Sequence, residues 1–583
     1  MAQHFTRGGQ LSMHRLRMLQ QVARITLAVI LFTAMTISIG KTLYEVPSYN
    51  FYLFKEYYHG KFLLGFVTKQ TDIHKATQQI IHPDGRKTQE YSINIVQSPW
   101  VNYAVAMIKY KVWHNTILGL WIGVFVGLSA MVFFFYRGRK QAQEKRYRGS
   151  ALVPPQQLKK MIKRNQQASD LKLDKLPLIN NMETSHFLAC GTTGSGKSTL
   201  IRTLLPQIRR RGDRAIIVDL TGEFVAQYYQ PKHDILLNPF DDRHQPWSPW
   251  KECQNESHYD AFAHAMVPSS KQNDPFWETS GRIVLATALR QFKEQGNFSA
   301  QSLYRLLSTG PIEDYQQFFA GTEATSFTGK EGDKTTASIR STLATHLQGL
   351  KYLKDARAEF SIREWISQDR ENSWLFLNAQ PDQRQALKSL MTTWMDTSIS
   401  ALMSLPPSSD RRVWFILDEL PALHKLPSLE MALAEIRKYG GCVMAGFQSM
   451  AQLTSVYGAS TAEALLNLFN TQVFFRNVDP RTTEWIAKVL GEQEIRQVQE
   501  NLSYGADTVR DGVSLSQQDR KKLIVLPTEI AALKNLECYL KLPEGYPVAK
   551  VKIRYKGPRI KLLALIKKRY NSMMSVFRDI WKK

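Results

Sequence analysis

The stretch that decides the fold is His186-Phe-Leu-Ala-Cys190-Gly191-Thr-Thr-Gly-Ser-Gly196-Lys197-Ser198-Thr199-Leu200. Residues 186–190 read as a short buried strand. The run from Thr199, with Leu200, Ile201, Leu204 and Leu205, reads as a helix. Between them lies a full GxxxxGK[ST] match. Glycines let such a loop close around phosphates with its N–H groups inward, and the helix N-terminus adds a favourable dipole. Gly191, Thr192, Thr193, Gly194, Ser195, Gly196, Lys197, Ser198 and Thr199 are therefore the expected nucleotide contacts. Lys197 reaches the β- and γ-phosphates in this pattern, and Ser198 ligates Mg²⁺. ATP and Mg²⁺ are the expected cofactors.

A phosphate loop needs an acidic partner to complete the Mg²⁺ shell and activate water. Val413-Trp-Phe-Ile-Leu-Asp418-Glu419 supplies one: an apolar strand ending in two acids. Asp418 is expected to hold the metal, and Glu419 to polarise the attacking water. Residues 215–219 and 442–447 read as further strands of the same parallel sheet, so the class is α/β, doubly wound. Lys197 and Asp418 lie 221 residues apart, far more than a strand–helix–strand step requires. The excess reads mostly as helices, at 259–266, 279–295, 300–307 and 335–350. An all-α insertion is the simplest account.

Upstream, residues 25–40 carry no charge, and 22–43 reach membrane-spanning length once Arg24 and Lys41 snorkel. Residues 116–136 form a cleaner uncharged run. Buried core helices are the alternative for both. A cleaved signal peptide is another for the first, but no convincing small-x-small site follows it. Arg7, Arg15, Arg17 and Arg24 precede the first run without an acid, and a basic cluster from Arg137 to Arg148 follows the second. Both termini then face the cytoplasm, and the loop between the spans lies outside.

The 583 residues allow several domains. Hydrophobic content of 43% excludes wholesale disorder. Cys190, Cys253, Cys442 and Cys538 form no CxxC pair, so neither a disulfide scaffold nor a structural zinc site is expected. The net charge of +25 points to nucleic acid or an anionic membrane. Its location decides between them. The loop 41–115 holds nine Lys/Arg and five Asp/Glu, 137–175 twelve and three, and 552–583 eleven and one. That leaves 176–551 with 40 Lys/Arg against 42 Asp/Glu. The charge flanks the spans and the tail, around a nearly neutral body.

Together these residues resemble the coupling ATPases of type IV secretion, closest to the TraD-like branch, over about 10–550. Local strings carry the resemblance beyond the two nucleotide motifs: Asp234-Ile-Leu-Leu-Asn-Pro-Phe-Asp241 with Trp247-Ser-Pro, Asp274-Pro-Phe-Trp277 and Ser338-Ile-Arg340-Ser. Phe360-Ser-Ile-Arg-Glu-Trp365, Ser503-Tyr-Gly-Ala506 and Arg510-Asp-Gly-Val513 complete the set. The resemblance implies a RecA-like P-loop NTPase domain with an inserted all-α domain, behind two transmembrane helices and a small periplasmic domain. The implied order is a cytoplasmic N-terminus (1–21), a transmembrane helix (22–43), a periplasmic domain (44–115) and a second transmembrane helix (116–136). A basic juxtamembrane linker (137–180), of which 149–180 reads as a linker or a short helix, the first ATPase part (181–250), the all-α insertion (251–360), the second ATPase part (361–551) and a basic tail (552–583) follow.

The resemblance also implies a homohexamer in a bacterial inner membrane, multi-pass. Its ATPase would couple relaxase and relaxosome proteins to inner-membrane components of a type IV secretion channel and move single-stranded DNA without reading its sequence. Arg437, 19 residues after Asp418, resembles the arginine presented to a neighbouring subunit's γ-phosphate. Gln448, 11 residues further, resembles the glutamine that couples the γ-phosphate to movement. Their residue-level alternatives are a surface helix arginine and a solvated strand-end amide. Arg476 is a second interface candidate, against a structural ion pair with Asp479. The rival functions are a coupling ATPase for protein effectors and an FtsK-type translocase, with a non-catalytic scaffold disfavoured by the intact Lys197, Ser198, Asp418 and Glu419. Many relatives have a long C-terminal tail ending in acids. Here the end is basic and amphipathic, suited to lipid, to DNA, to packing on the ATPase body or to plain solvation.

Overall fold

The computed structural model describes residues 2–66, 76–141, 145–269, 275–328, 333–354, 360–368, 372–503, 512–555 and 557. Asp274, residues 504–511 of the two family strings and the tail from 558 onward lie outside the described residues. The chain forms two compact units, 1–145 with 496–519 and 146–495 with 520–583.

The first unit is dominated by two long helices, Ala2–Glu45 and Pro99–Gln141. Both are long and apolar enough to cross a membrane, over Met18–Glu45 and Pro99–Arg137. They run antiparallel, because rising positions on one meet falling positions on the other. Thr116 Oγ1 lies 2.8 Å from Ser38 Oγ, and a Cβ on Gly119, Gly123 or Gly127 would meet Ala34, Ile30 or Ile30 and Thr26. This spacing of three glycines four apart lets two backbones touch. The sequence reading did not single it out. The second helix begins 17 residues before the uncharged run. Its early turns are amphipathic: Val101, Ala104, Val105 and Ile108 are buried, the first three in a cluster with Leu53, Tyr57, Ile80 and Ile95. A helix at Ser48–Gly65, the hairpin Thr77–Ile81/Lys87–Tyr91 and the short helix Ser92–Gln97 supply the rest of that small core.

In the second unit the described residues form a ten-stranded sheet. Its strands are β1 Leu152–Val153, β2 Phe187–Cys190, β3 Arg214–Asp219, β4 Ile235–Leu237 and β5 Trp374–Asn378. They continue as β6 Val413–Leu417, β7 Gly441–Phe447, β8 Thr471–Phe475, β9 Glu537–Lys541 and β10 Val548–Lys552. The spatial order is β1-β10-β9-β8-β2-β7-β6-β3-β5-β4, parallel from β8 through β4. Every residue of β2, β3, β5, β6, β7 and β8 is buried, as expected of a parallel sheet covered on both faces. Alternate residues divide between two cores. Leu188, Ile216, Phe415 and Val443 face one, and Phe187, Ile217, Trp414 and Met444 the other.

The first core is shared with the helices between β4 and β5, including Glu256–Met266, Pro275–Glu294, Ile312–Phe319 and Asp333–His346. The family strings are structural here. The buried Glu252 carboxylate accepts from Trp247 Nε1 (2.8 Å), Ile362 N (2.6 Å), Arg363 N (3.1 Å) and Ser361 Oγ (3.2 Å). It thereby clamps the entry of the helical insert to its exit. Asp234 pairs with Arg209 at 2.7 Å and also receives Trp374 N, locking the start of β5.

The expected linker 137–180 is instead largely folded into this unit. Helix Pro155–Arg164 buries Leu158 and Ile162 one turn apart, and strand Ala168–Leu173 buries Leu171 and Leu173 on one face, paired with Leu176–Ile179. The helix accords with the short-helix alternative for 149–180, and the strand pair after it goes beyond that reading.

Candidate active site

The phosphate-loop strand β2 and the acid-bearing strand β6 are not neighbours. β7 runs between them, parallel to both. The residue at its C-terminal end, Gln448, therefore falls between the two motifs. Gln448 Nε2 donates to Glu419 Oε2 (2.9 Å), and Gln448 Oε1 accepts from Thr193 Oγ1 (3.0 Å). One amide thus bridges the loop and the Glu419 carboxylate. Asn477 Nδ2 fixes its backbone by donating to Gln448 O (2.6 Å). The close approach depends on Gly446, whose Cβ would stand 2.1 Å from Asp418 O.

The loop is built from tight turns. Gly194 and Gly196 hold φ of 74° and 133°, which L side chains resist. A Cβ on Gly191 would collide with Phe475 and Ser195. Ser195 Oγ donates to Thr192 O (2.7 Å), and Thr192 N donates to Arg476 O (2.9 Å). Lys197, buried, donates to Gly191 O (2.5 Å), and Thr199 lines the same cleft. Ser198 Oγ donates to Asp418 Oδ2 at 2.8 Å.

A cleft of about 640 Å³ gathers Lys197, Ser198, Asp418, Glu419 and Gln448. Burial raises the pKa of Asp418, against the Ser198 bond and the Lys197 and Arg202 charges. Burial also raises that of Glu419, against the Gln448 bond and Lys197. Asp418 Oδ1 and Glu419 Oε1 are buried with no hydrogen-bond partner among the described residues. Hard oxygen donors in that state, beside a serine hydroxyl, suit Mg²⁺, which takes one or two protein oxygens and completes its shell with phosphates and water.

Arg437 does not enter this cleft. It is exposed in the turn Ile436–Tyr439, before β7, whereas Gln448 follows β7. Seven residues at about 3.3 Å each separate the two ends by roughly 20 Å. Among the described residues Arg476 forms no ion pair with Asp479. Asp479 instead caps helix Pro480–Leu490, accepting from Thr482 N and Oγ1. The reading of the motifs missed Arg202, Asp219, Arg384, Asn535 and Tyr555, which also line the cleft. Arg202, four residues after Ser198 on the same helix, was findable from helical spacing. Asn535 and Tyr555 come from the β9–β10 region, with no local motif to mark them.

Residues 170–554 match the family model for the type IV secretion-system coupling protein DNA-binding domain. Coupling protein TraD of Escherichia coli (strain K12) is 32% identical over 565 residues, 95% of this chain and 78% of that protein. Protein VirD4 of Agrobacterium fabrum is 26% identical over 208 residues, 35% of this chain and 30% of that protein. Among solved structures, the unbound bacterial conjugative coupling protein TrwBdeltaN70 superposes with a TM-score of 0.66 at 31% identity, covering 73% of this chain and 97% of that one. The plasmid coupling protein TrwB in complex with ADP and Mg²⁺ gives 0.65 at 31% identity, covering 73% and 97%.

Proposed function

The chain belongs to the type IV secretion-system coupling proteins, and from that premise we propose that it is an ATP-hydrolysing motor of conjugative DNA transfer. It is anchored in a bacterial inner membrane by its two long apolar helices, with both termini cytoplasmic. It receives a relaxase-bound single strand from the relaxosome and hands it to the secretion channel. A homohexamer is the working assembly.

The observation that carries this reading is the continuous set Thr193–Gln448–Glu419 beside Ser198–Asp418 in one cleft. Lys197 and the loop N–H groups hold the phosphates of ATP. Ser198 and Asp418 hold Mg²⁺, which neutralises charge on the β- and γ-phosphates when bound. Glu419 orients the attacking water and takes its proton; its raised pKa favours accepting one. Gln448 links that acid to the loop, so a change at the γ-phosphate end is felt along β7. Arg437 is too far to serve its own site, and it acts on the neighbouring subunit's γ-phosphate as a rigid, always charged group.

Lys197→Ala should lower ATP hydrolysis on the order of a hundredfold or more. It should abolish DNA transfer and leave membrane insertion intact. Normal transfer by that variant would sink the motor reading.

A further inference from the structure

His186 is buried at 1% exposure, just before β2, in a left-handed conformation with φ of 64°. A non-glycine residue holds such a φ only when its surroundings require it. Its ring touches two other elements. Val443 N, in β7, donates to Nδ1 at 3.2 Å. Nε2 lies 3.0 Å from Leu433 O, in helix Leu429–Glu435. Burial pushes the ring pKa down to about 4, against the Leu433 bond and with the Arg437 charge adding to the fall. The ring is therefore neutral at pH 7. Because Nδ1 accepts, its one proton sits on Nε2 and is donated to Leu433 O.

Leu433 lies four residues before Arg437. The turn between helix and strand is pressed onto the sheet. A Cβ on Gly441 would meet Ile436 Cγ1 at 2.5 Å, and one on Gly440 would meet Arg411 O at 2.1 Å. Ser408 N also donates to Lys438 O (2.9 Å).

We propose that His186 is a positioning residue for Arg437, tying the turn that presents this arginine to the strand that carries the phosphate loop of the same subunit. The inference rests on the reading of Arg437 as the group that acts on the next subunit. One side chain then spans the phosphate-loop strand, the strand ending at Gln448 and the helix leading to Arg437. Movement of the loop on ATP binding is passed to the arginine through the Nε2–Leu433 bond, while the Nδ1–Val443 bond anchors the ring.

The two bonds can be separated by substitution. In His186→Gln the amide nitrogen reaches the place of Nε2 and keeps a donor for Leu433 O. In His186→Asn the amide oxygen takes the place of Nδ1 and keeps an acceptor for Val443 N, but the donor is lost. The full-length protein in detergent or lipid discs is assayed for steady-state ATPase, beside Arg437→Ala. His186→Asn is expected to lower kcat on the order of a hundredfold with little change in KM, because misplacing a group by about 1 Å costs that much. His186→Gln is expected to stay within about threefold of wild type, since its one retained bond is the one that positions the arginine. Equal loss in the two variants, or no loss in His186→Asn while Arg437→Ala collapses, overturns this inference alone. Wild-type kcat in Arg437→Ala overturns the arginine reading, and this inference with it. If His186→Asn fails to fold, His186→Gln decides: a folded His186→Gln protein with lost kcat overturns the proposal, and retained kcat supports it.

Discussion

At the scale of the residue, the second unit holds several buried polar groups in place by directed bonds. Asp396, in helix Arg384–Met403, accepts from Ser428 N (2.9 Å) and Ser428 Oγ (3.1 Å). It thereby fixes the start of the helix that leads to Leu433 and Arg437. Burial raises its pKa from 3.8 to about 6, against those bonds. The folded state thus holds the proton more tightly than the unfolded one. The associated stability is complete below about pH 4 and is lost as pH rises to about 6, amounting to roughly 3 kcal/mol. In Asp396→Asn this component is absent. The melting temperature of the variant relative to wild type should therefore climb between pH 4 and pH 6. A difference flat with pH would contradict the assignment. Lys197, Ser198, Asp418 and Glu419 were legible from sequence because their chemistry is local: a loop or a strand end sets each one. His186 and Asp396 were not, since their partners lie 247 and 32 residues away.

At the scale of the element, parallel strands were the easiest to read. Runs such as Val413–Leu417 are apolar throughout because both faces are covered. The β9–β10 hairpin escaped notice, whereas helix Pro155–Arg164 matches the short helix that the basic stretch ending at Arg164 suggested. The sequence showed the apolar length of the long helices but not their seam. Gly119 and Gly123 bring backbone against backbone and Gly127 admits the Ile30 and Thr26 side chains, with Thr116–Ser38 and Asn115–Thr42 bonds continuing along it. Filling such a contact costs about 1–3 kcal/mol and forces the helices apart. Cysteines placed at Ser38 and Thr116 should form a disulfide in the otherwise native chain. They should lose it when Gly123→Leu is added. Native cysteines do not interfere, since Cys190, Cys253, Cys442 and Cys538 are all buried. Undiminished cross-linking with Gly123→Leu would refute the seam.

At the scale of the whole molecule, charge and site arrangement point in different directions. The excess of +25 lies in the flanks of the apolar helices and in the tail, while 176–551 has 40 Lys/Arg against 42 Asp/Glu. A family model named for DNA binding therefore covers a nearly neutral body. Any contact with the phosphate backbone is a local basic lining, whose affinity falls with salt in proportion to the few charges it neutralises. The site arrangement is equally partial within one chain. The cleft holds the loop, Ser198, Asp418, Glu419 and the bridging amide of Gln448, but Arg437 stands at the far end of β7. The proposed ring of identical subunits would resolve this, because a head-to-tail interface brings one surface of each copy to a different surface of the next.

The proposed motor turns on hydrolysis of ATP between subunits, with Glu419 from one and Arg437 from its neighbour. It is tested by mixing Arg437→Ala protein with Glu419→Ala protein in equal amounts and measuring ATPase activity after co-assembly. Each variant alone should be inactive. In the mixture about a quarter of the interfaces join an intact Glu419 to an intact Arg437, so partial activity should return. A mixture that co-assembles yet stays as inactive as either variant alone would contradict the account.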